Sequence, residues 1–336
     1  MKKISFLGAG SWGTALAILC AKNGHKVTMW SKIKAETDML REKREHVERL
    51  PGAKLPDSIE IVDEISAACQ EQDIIVFSVA SPFVRSTAEL AKPYIKPGQI
   101  IVNVGKGIED NTLMTLCEIL EDVLPEAKIA VLSGPSHAEE VSKEMPTTVV
   151  VGAKDEKTAA FIQDVFMGKN FRVYVSPDIV GIELGGALKN VIALAAGILD
   201  GMGLGDNTKA ALMTRGIVEI SRLGMELGGR METFFGLSGI GDLIVTCTST
   251  HSRNHNCGYL LGKGKTLEEA KQEIRQVVEG VNCAKAAMKL ANKHHVSMPI
   301  VEQINAVLFD NKSTEQALKD LILRERVIEY QSLSWK

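Results

Sequence analysis

Gly8-Ala9-Gly10-Ser11-Trp12-Gly13, the run GAGSWG, lies between a short apolar stretch at Ile4–Leu7 and a helical pattern at Ala15–Asn23. A second strand is expected over His25–Trp30. A lone GxGxxG says little. With a strand before it, a helix after it and another strand following, it reads as the phosphate-binding turn of a Rossmann unit. Gly8 allows the tight turn, Gly10 lets the backbone approach a pyrophosphate, and Gly13 lets helix and strand pack closely. The helix N-terminus then offers free N–H groups to the phosphates.

The pattern continues outward from this turn. Asp73–Val79 and Gln99–Val104 are near-continuous apolar runs, as buried parallel strands require. Ile129–Leu132, Thr147–Val151 and Phe171–Val175 follow as further strands, with helical stretches between them. This alternation predicts an α/β fold, an N-terminal Rossmann-type doubly wound sheet. From Asp178 onward no strand is expected. Asp178–Leu199, Asn207–Leu227, Leu267–His294 and Pro299–Phe309 read as helices, punctuated by GMGLGDN at Gly201–Asn207 and GLSGIGD at Gly236–Asp242. The boundary therefore falls near residue 177, with a dinucleotide-binding domain over 1–177 and an all-helical C-terminal domain over 178–336. At 336 residues the chain exceeds what one core usually supports, which agrees with two domains.

Composition narrows the function. Thirty-nine Lys+Arg stand against 42 Asp+Glu, a net charge of −3, without the basic excess expected of a nucleic-acid binder. The densest charged stretch, Lys32–Arg49, has mixed signs and reads as a solvated helix face. The lysines and apolar run at the N-terminus resemble a secretion signal, but the three glycines interrupt that run and Leu19 before Cys20 does not suit cleavage. No apolar stretch is read as reaching the ~18 residues of a membrane span. Six scattered cysteines without a CxxC pair suggest reduced thiols and a cytoplasmic location.

The end of the second strand bears on the cofactor. NAD users often place a carboxylate there for the ribose 2′-hydroxyl. Here Ser31 and Lys32 follow Trp30, and no carboxylate comes before Glu36. This favours NADPH, with NADH also accepted. Two other glycine-rich runs are set aside. GMGLGDN has no strand before it, and GKGKT at Gly262–Thr266 has Tyr259 where a phosphate-binding loop needs glycine.

Ligands of doubly wound folds bind beyond the carboxyl ends of the strands. Ser78–Pro82, Asn103–Gly107 and Ser133–Ala138 lie at such ends. Lys106, between two glycines, is either a ligand contact or a solvated loop lysine. Lys189 sits in ELGGALKNVIAL, a helix apolar on nearly every face. It either snorkels to the surface or is buried for a purpose. Gly185, one turn earlier, leaves room for a ligand or for other backbone. Cys247, His251, His255 and Cys257 fall within eleven residues, without the spacer that separates ligand pairs in structural zinc sites, so no metal is expected. His294-His295 reads as a helix end facing its dipole.

The sequence resembles the NAD(P)-dependent glycerol-3-phosphate dehydrogenases of bacterial type. The likeness rests on GAGSWGTALA, VGKGIE around Lys106, LSGPSHAEEV at Leu132–Val141, ELGGALKNVIALAAGI around Lys189, GLSGIGDL, SRN at Ser252–Asn254 and VVEG at Val277–Gly280, in order along the chain. It implies reversible hydride transfer between NAD(P)H and dihydroxyacetone phosphate, giving glycerol 3-phosphate for phospholipid synthesis. It implies that Ser11 and Trp12 line the pyrophosphate turn, that Lys106 touches cofactor and substrate, and that Gly134, Ser136 and Ala138 line the cleft. Lys189 would be the proton donor and acceptor. Asp242, Ser252, Arg253 and Asn254 would hold the substrate, and Arg253, Val277 and Glu279 would also reach the cofactor. Many such proteins carry arginine where this chain has Ser31-Lys32. A lysine at its ordinary pKa of ~10.4 is a poor acid–base group near neutrality; burial and the like charge of Lys106 would lower it, with the substrate phosphate opposing. Related dehydrogenases with helical second domains act on carboxylates instead, and a cofactor-sensing protein without turnover is the alternative from another class. A homodimer is left open.

Overall fold

A computed structural model describes residues 1–326, 328 and 329; the last residues of the expected helical domain, 330–336, lie outside the described residues. The element order is β1 (Lys3–Leu7), α1 (Ser11–Lys22), β2 (Lys26–Trp30), α2 (Lys34–Lys43), β3 (Ile59–Val62), α3 (Ile65–Cys69), β4 (Ile74–Phe77), α4 (Val84–Ala91), β5 (Ile100–Asn103), α5 (Leu116–Val123), β6 (Lys128–Ser133), α6 (Ala138–Ser142), β7 (Thr147–Ala153), α7 (Glu156–Phe166) and β8 (Phe171–Ser176). Helices follow: α8 (Ile179–Gly201), α9 (Asp206–Glu226), α10 (Met231–Phe234), α11 (Asp242–Thr248), α12 (Arg253–Gly262), α13 (Leu267–Ile274), α14 (Glu279–Lys293), α15 (Pro299–Phe309) and α16 (Thr314–Ile322).

The eight strands form one sheet in the order β3-β2-β1-β4-β5-β6-β7-β8. The reversal between β1 and β4 is the switch point of a doubly wound sheet, and it opens a crevice above their carboxyl ends. β4 is fully buried along its length, as a central strand covered on both faces must be. Separate apolar clusters fill the two faces of the sheet and the interior of the helical part.

Four expectations need correction. The sheet is not parallel throughout, because β7 runs antiparallel to β6. After Ser133 the chain stays at the same end of the sheet, where the short α6 packs on α1, and re-enters from that side. β3 was not expected; it is a four-residue edge strand in which only Ile59 is well buried, so it lacks a long apolar run. Leu267–His294 is two helices, because Arg275 adopts a left-handed backbone (φ 55°) and ends α13. Finally, α8 is apolar enough and, at 23 residues, long enough to span a membrane. Its most apolar window is 89% buried, as befits the central helix of the C-terminal part.

The caps are local. Asp178 accepts the Gly181 N–H at 2.9 Å and starts α8, and it also takes the Arg230 N–H at 2.8 Å. Gly203 (φ 77°) and Gly205, within the GMGLGDN run, lie between the end of α8 and the start of α9. Thr266 and Glu269 form a reciprocal capping box at the start of α13, the role of GKGKT.

Candidate active site

The glycine turn after β1 has the shape its sequence demands. Gly8 has φ 112°, and a Cβ on it would lie 2.7 Å from the Val79 backbone nitrogen. A Cβ on Gly13 would lie 2.6 Å from the Gly8 carbonyl oxygen and 2.5 Å from Ser78 Oγ. At Gly10, by contrast, a Cβ would meet only Arg49 Nη1, at 3.9 Å, so the space a pyrophosphate needs is open. Gly10 provides no side-chain cap to α1, leaving the first N–H groups of that twelve-residue helix facing the crevice. Trp12 packs partly buried against the sheet. These features fit a bound dinucleotide.

The end of β2 differs from its sequence reading. Ser31 donates its hydroxyl to Glu36 Oε2 at 2.6 Å and accepts the Ile33 N–H, so that hydroxyl is engaged, while Lys32 is exposed. Glu36 is buried and draws in Arg49, with Nη2 to Oε1 at 2.6 Å. The Lys32–Arg49 stretch is therefore not one solvated helix. It leaves helical geometry at Arg44 (φ 49°), and Arg49 folds back towards the glycine turn. Arg49 was not legible beforehand, because it lies nineteen residues beyond the strand end in a charge-rich run (Trp30 to Arg49). A cleft of about 500 Å³ is lined by Ser11, Arg49, Glu139, His251 and Arg253, among others, bringing the glycine turn against the helical part.

Deeper in, two lysines converge on one carboxylate. Lys106, in the loop after β5, reaches Asp242 Oδ2 at 2.5 Å and the Gly134 carbonyl at 3.1 Å. Lys189, from the middle of α8, donates to Asp242 Oδ1 at 2.7 Å and to Thr246 Oγ1 at 2.5 Å. Lys189 is 5% exposed and Asp242 2%, so the lysine does not snorkel. Burial lowers the Lys189 pKa to about 8; Asp242 pulls it up and Lys106 pushes it further down. Thr246, one turn after Asp242 on α11, carries no mark in the sequence, since a lone threonine gives no signal there.

Gly185 makes room for backbone. A Cβ there would sit 2.8 Å from the Ser238 carbonyl oxygen. GLSGIGD forms a π-helical turn over Leu237–Gly241 that packs on α8 and delivers Asp242 at the start of α11. Ser136 donates its hydroxyl to the Gly134 carbonyl at 2.9 Å, and Ala138 is buried at the start of α6. His137 between them is partly buried, its ring centroid 5.7 Å from that of His251 across the cleft. Burial and then the charge of Lys189 lower its pKa.

Ser252, Arg253 and Asn254 lie where α11 gives way to α12: α11 continues to Thr248, and Ser252 caps α12 by accepting the His255 N–H at 3.2 Å. Asn254 donates to Asn190 Oδ1 at 2.9 Å and accepts the Gly280 N–H at 2.8 Å, tying α12 to α8 and α14. Arg253 Nη1 donates to the Val277 carbonyl at 3.1 Å. Glu279 Oε1 accepts the Ser81 N–H at 3.0 Å and Oε2 accepts its hydroxyl at 2.5 Å, bridging α14 and the loop after β4. Burial raises the Glu279 pKa.

The Cys247/His251/His255/Cys257 set does not assemble. His255 Nε2 pairs with Asp200 at 2.7 Å and both cysteines are buried. Among the described residues no three His, Cys, Asp or Glu side chains gather as metal ligands.

A Rossmann crevice facing a helical C-terminal region, with two lysines meeting on one buried carboxylate, is the arrangement of a dehydrogenase of the nicotinamide-dinucleotide class. Two family profiles match it: "NAD-dependent glycerol-3-phosphate dehydrogenase N-terminus" over residues 3–159 and "NAD-dependent glycerol-3-phosphate dehydrogenase C-terminus" over residues 178–319. The chain is 56% identical to the glycerol-3-phosphate dehydrogenase [NAD(P)+] of Agathobacter rectalis over 100% of both chains. It is 53% identical to that of Fusobacterium nucleatum, over 99% of this chain and 100% of the relative. The crystal structure of glycerol-3-phosphate dehydrogenase from Coxiella burnetii superposes with a TM-score of 0.93 at 36% identity, covering 96% of this chain and 99% of the other. The chain belongs to the NAD-dependent glycerol-3-phosphate dehydrogenase family.

Proposed function

We propose that the chain interconverts dihydroxyacetone phosphate and sn-glycerol 3-phosphate, with Lys189 as proton donor and acceptor. The observation that carries this reading is the pair of lysines on one buried carboxylate. The nicotinamide cofactor supplies or removes hydride at C2 when bound. Reduction puts negative charge on the C2 oxygen, and a cationic Lys189 stabilises it and donates the proton. Oxidation uses the neutral amine as base. Asp242 holds both ammonium groups in register and keeps Lys189 charged near neutrality, against burial. Lys106 steers substrate with its charge and contacts the cofactor.

Ser252, Arg253 and Asn254 take the substrate phosphate at the start of α12. The planar guanidinium supplies paired donors, and the ten-residue helix adds its dipole. Gly8, Gly10, Ser11, Trp12 and Gly13 hold the pyrophosphate. Ser31, Lys32, Ala138, Arg253, Val277 and Glu279 line the rest of the cofactor path, with Arg49 added from its approach to Gly10. Lys32, exposed just past β2, and Arg49, which pairs with Glu36 and approaches Gly10, support a preference for NADPH with NADH also used. A cofactor domain over 1–177 and a substrate domain over 178–336 belong to the same proposal. So do a homodimer, a cytoplasmic location and service to phospholipid synthesis; the six free, buried thiols fit a reducing compartment.

The test is NADPH oxidation with dihydroxyacetone phosphate against a panel of 2-oxo acids. Only the phosphorylated triose is expected to turn over. Lys189→Met is expected to lower kcat by ~10²–10⁴ while NADPH binding stays near wild type. A variant retaining a tenth of wild-type kcat removes Lys189 from the chemistry.

A further inference from the structure

Glu183 is a buried carboxylate with no part in the chemistry above. It lies on α8, 5% exposed, ahead of Lys189. Its two oxygens accept the Cys117 N–H at the start of α5, at 2.9 and 3.2 Å. Oε1 also accepts an N–H from the Asn103 side chain at 3.1 Å. Asn103 ends β5, is fully buried, and folds over the loop that follows. Its Nδ2 donates to the Gly105 carbonyl at 3.2 Å and its Oδ1 accepts the Gly105 N–H at 3.0 Å. Gly105 immediately precedes Lys106. One turn beyond Glu183, Gly186 leaves α8 bare beneath the lysine stem; a Cβ there would lie 3.5 Å from Lys106 Cγ.

Core filling alone does not call for an acid here, because an isolated carboxylate is costly to bury. Burial pushes Glu183 up to about 7, against the pull of hydrogen bonds from Thr115 and Cys117. Its donors come from β5 and from the start of α5, the two elements that bracket the Lys106 loop. We infer that Glu183 and Asn103 are positioning residues that latch the Lys106 loop of the sheet onto α8, so that Lys106 and Lys189 are both set from one helix. The Lys106 ammonium then meets Asp242 from the β5 side while Lys189 meets it from α8. This rests on the roles proposed above for Lys106 and Lys189.

The experiment is a double-mutant cycle between Glu183→Gln and Lys106→Met, read as kcat and KM for dihydroxyacetone phosphate at saturating NADPH. Glutamine keeps the volume but loses one acceptor and turns an N–H towards existing donors. Displacing a substrate-contacting group by about 1 Å can cost ~10²-fold, so Glu183→Gln is expected to lower kcat/KM roughly tenfold, chiefly through KM. Added to Lys106→Met, it is expected to cost less than about twofold further, because the group it positions is already gone. If Lys106→Met keeps wild-type kinetics, the role of Lys106 fails and the latch fails with it. If Lys106→Met is impaired but Glu183→Gln keeps wild-type kcat and KM, even with a lowered Tm, only the latch is overturned. Losses that multiply in the double variant overturn it too. Should Glu183→Gln not fold by circular dichroism, Asn103→Ala cuts the same link from β5 and is put through the same cycle, with the same outcomes deciding.

Discussion

At Lys189, burial and a neighbouring carboxylate act in opposite directions, and burial wins by enough to bring the ammonium to about 8. That value makes the residue useful in both directions near neutrality. The sign of its effect follows from which form each direction needs. With Lys189 in the proposed role, reduction of the ketone uses the protonated lysine, so kcat/KM for dihydroxyacetone phosphate should fall as pH rises through about 8. Oxidation of glycerol 3-phosphate uses the neutral amine, so its kcat/KM should rise over the same interval. Initial rates from pH 6.5 to 9.5 in both directions check this, and profiles moving together would contradict it. The Lys189 backbone is fixed by α8 and its ammonium by Asp242 and Thr246, so little reorganisation remains when charge develops.

At the scale of elements, the contact between α8 and α12 sets the position of Ser252–Asn254, the proposed phosphate site. A Cβ on Gly197 would lie 1.9 Å from the His255 carbonyl oxygen, and one on Gly258 would lie 2.0 Å from the Leu194 carbonyl oxygen. The two helices therefore meet backbone to backbone, closer than any side chain permits. This closeness lets Asn254 reach Asn190, the neighbour of Lys189, and so ties the start of α12 to the lysine proposed to move the proton. Gly197→Ala should force the helices apart, at a cost of about 1–3 kcal/mol or more in stability, as overpacking does. It should also raise KM for dihydroxyacetone phosphate, because Ser252–Asn254 move with α12. Thermal melts and KM measured together check this; a variant with unchanged Tm and KM would show that the contact yields without consequence.

For the molecule as a whole, buried acids shape the response to pH. Glu219 accepts the Ile300 N–H at 2.9 and 3.1 Å and caps α15 from α9. Burial raises its pKa to about 7, as it does that of Glu183. A carboxyl raised in the folded state binds its proton more tightly there than in the unfolded chain. Its contribution to stability is then fully present below about pH 4.5 and is lost as pH rises through about 7. Glu219→Gln does not titrate. The Tm of that variant minus the Tm of the wild type should therefore become more positive between pH 5 and pH 8, and a constant difference would contradict the assignment.

Local pattern was enough for the Rossmann sheet and the helical half, because strand and helix periods and the glycine turn are properties of contiguous residues. Lys189 stood out for the same reason, a charge in an apolar helix. The sequence could not distinguish snorkelling from burial, nor ligand from backbone beside Gly185; both depend on the π-helical turn at Leu237–Gly241 packing on α8. It did not reveal the antiparallel β7, since strand direction depends on where α6 docks. It left Arg49 and Glu183 unmarked, one in a charge-rich run and the other near the start of the apolar helix that carries Lys189. Their partners, Glu36 and Gly10 for the first, Asn103 and Cys117 for the second, are brought together by folding. Composition and period are written along the chain, whereas a carboxylate shared by two lysines exists only once β5, α8 and α11 are packed, because the hydrogen bonds that define it act over a few ångströms and take no account of separation in sequence.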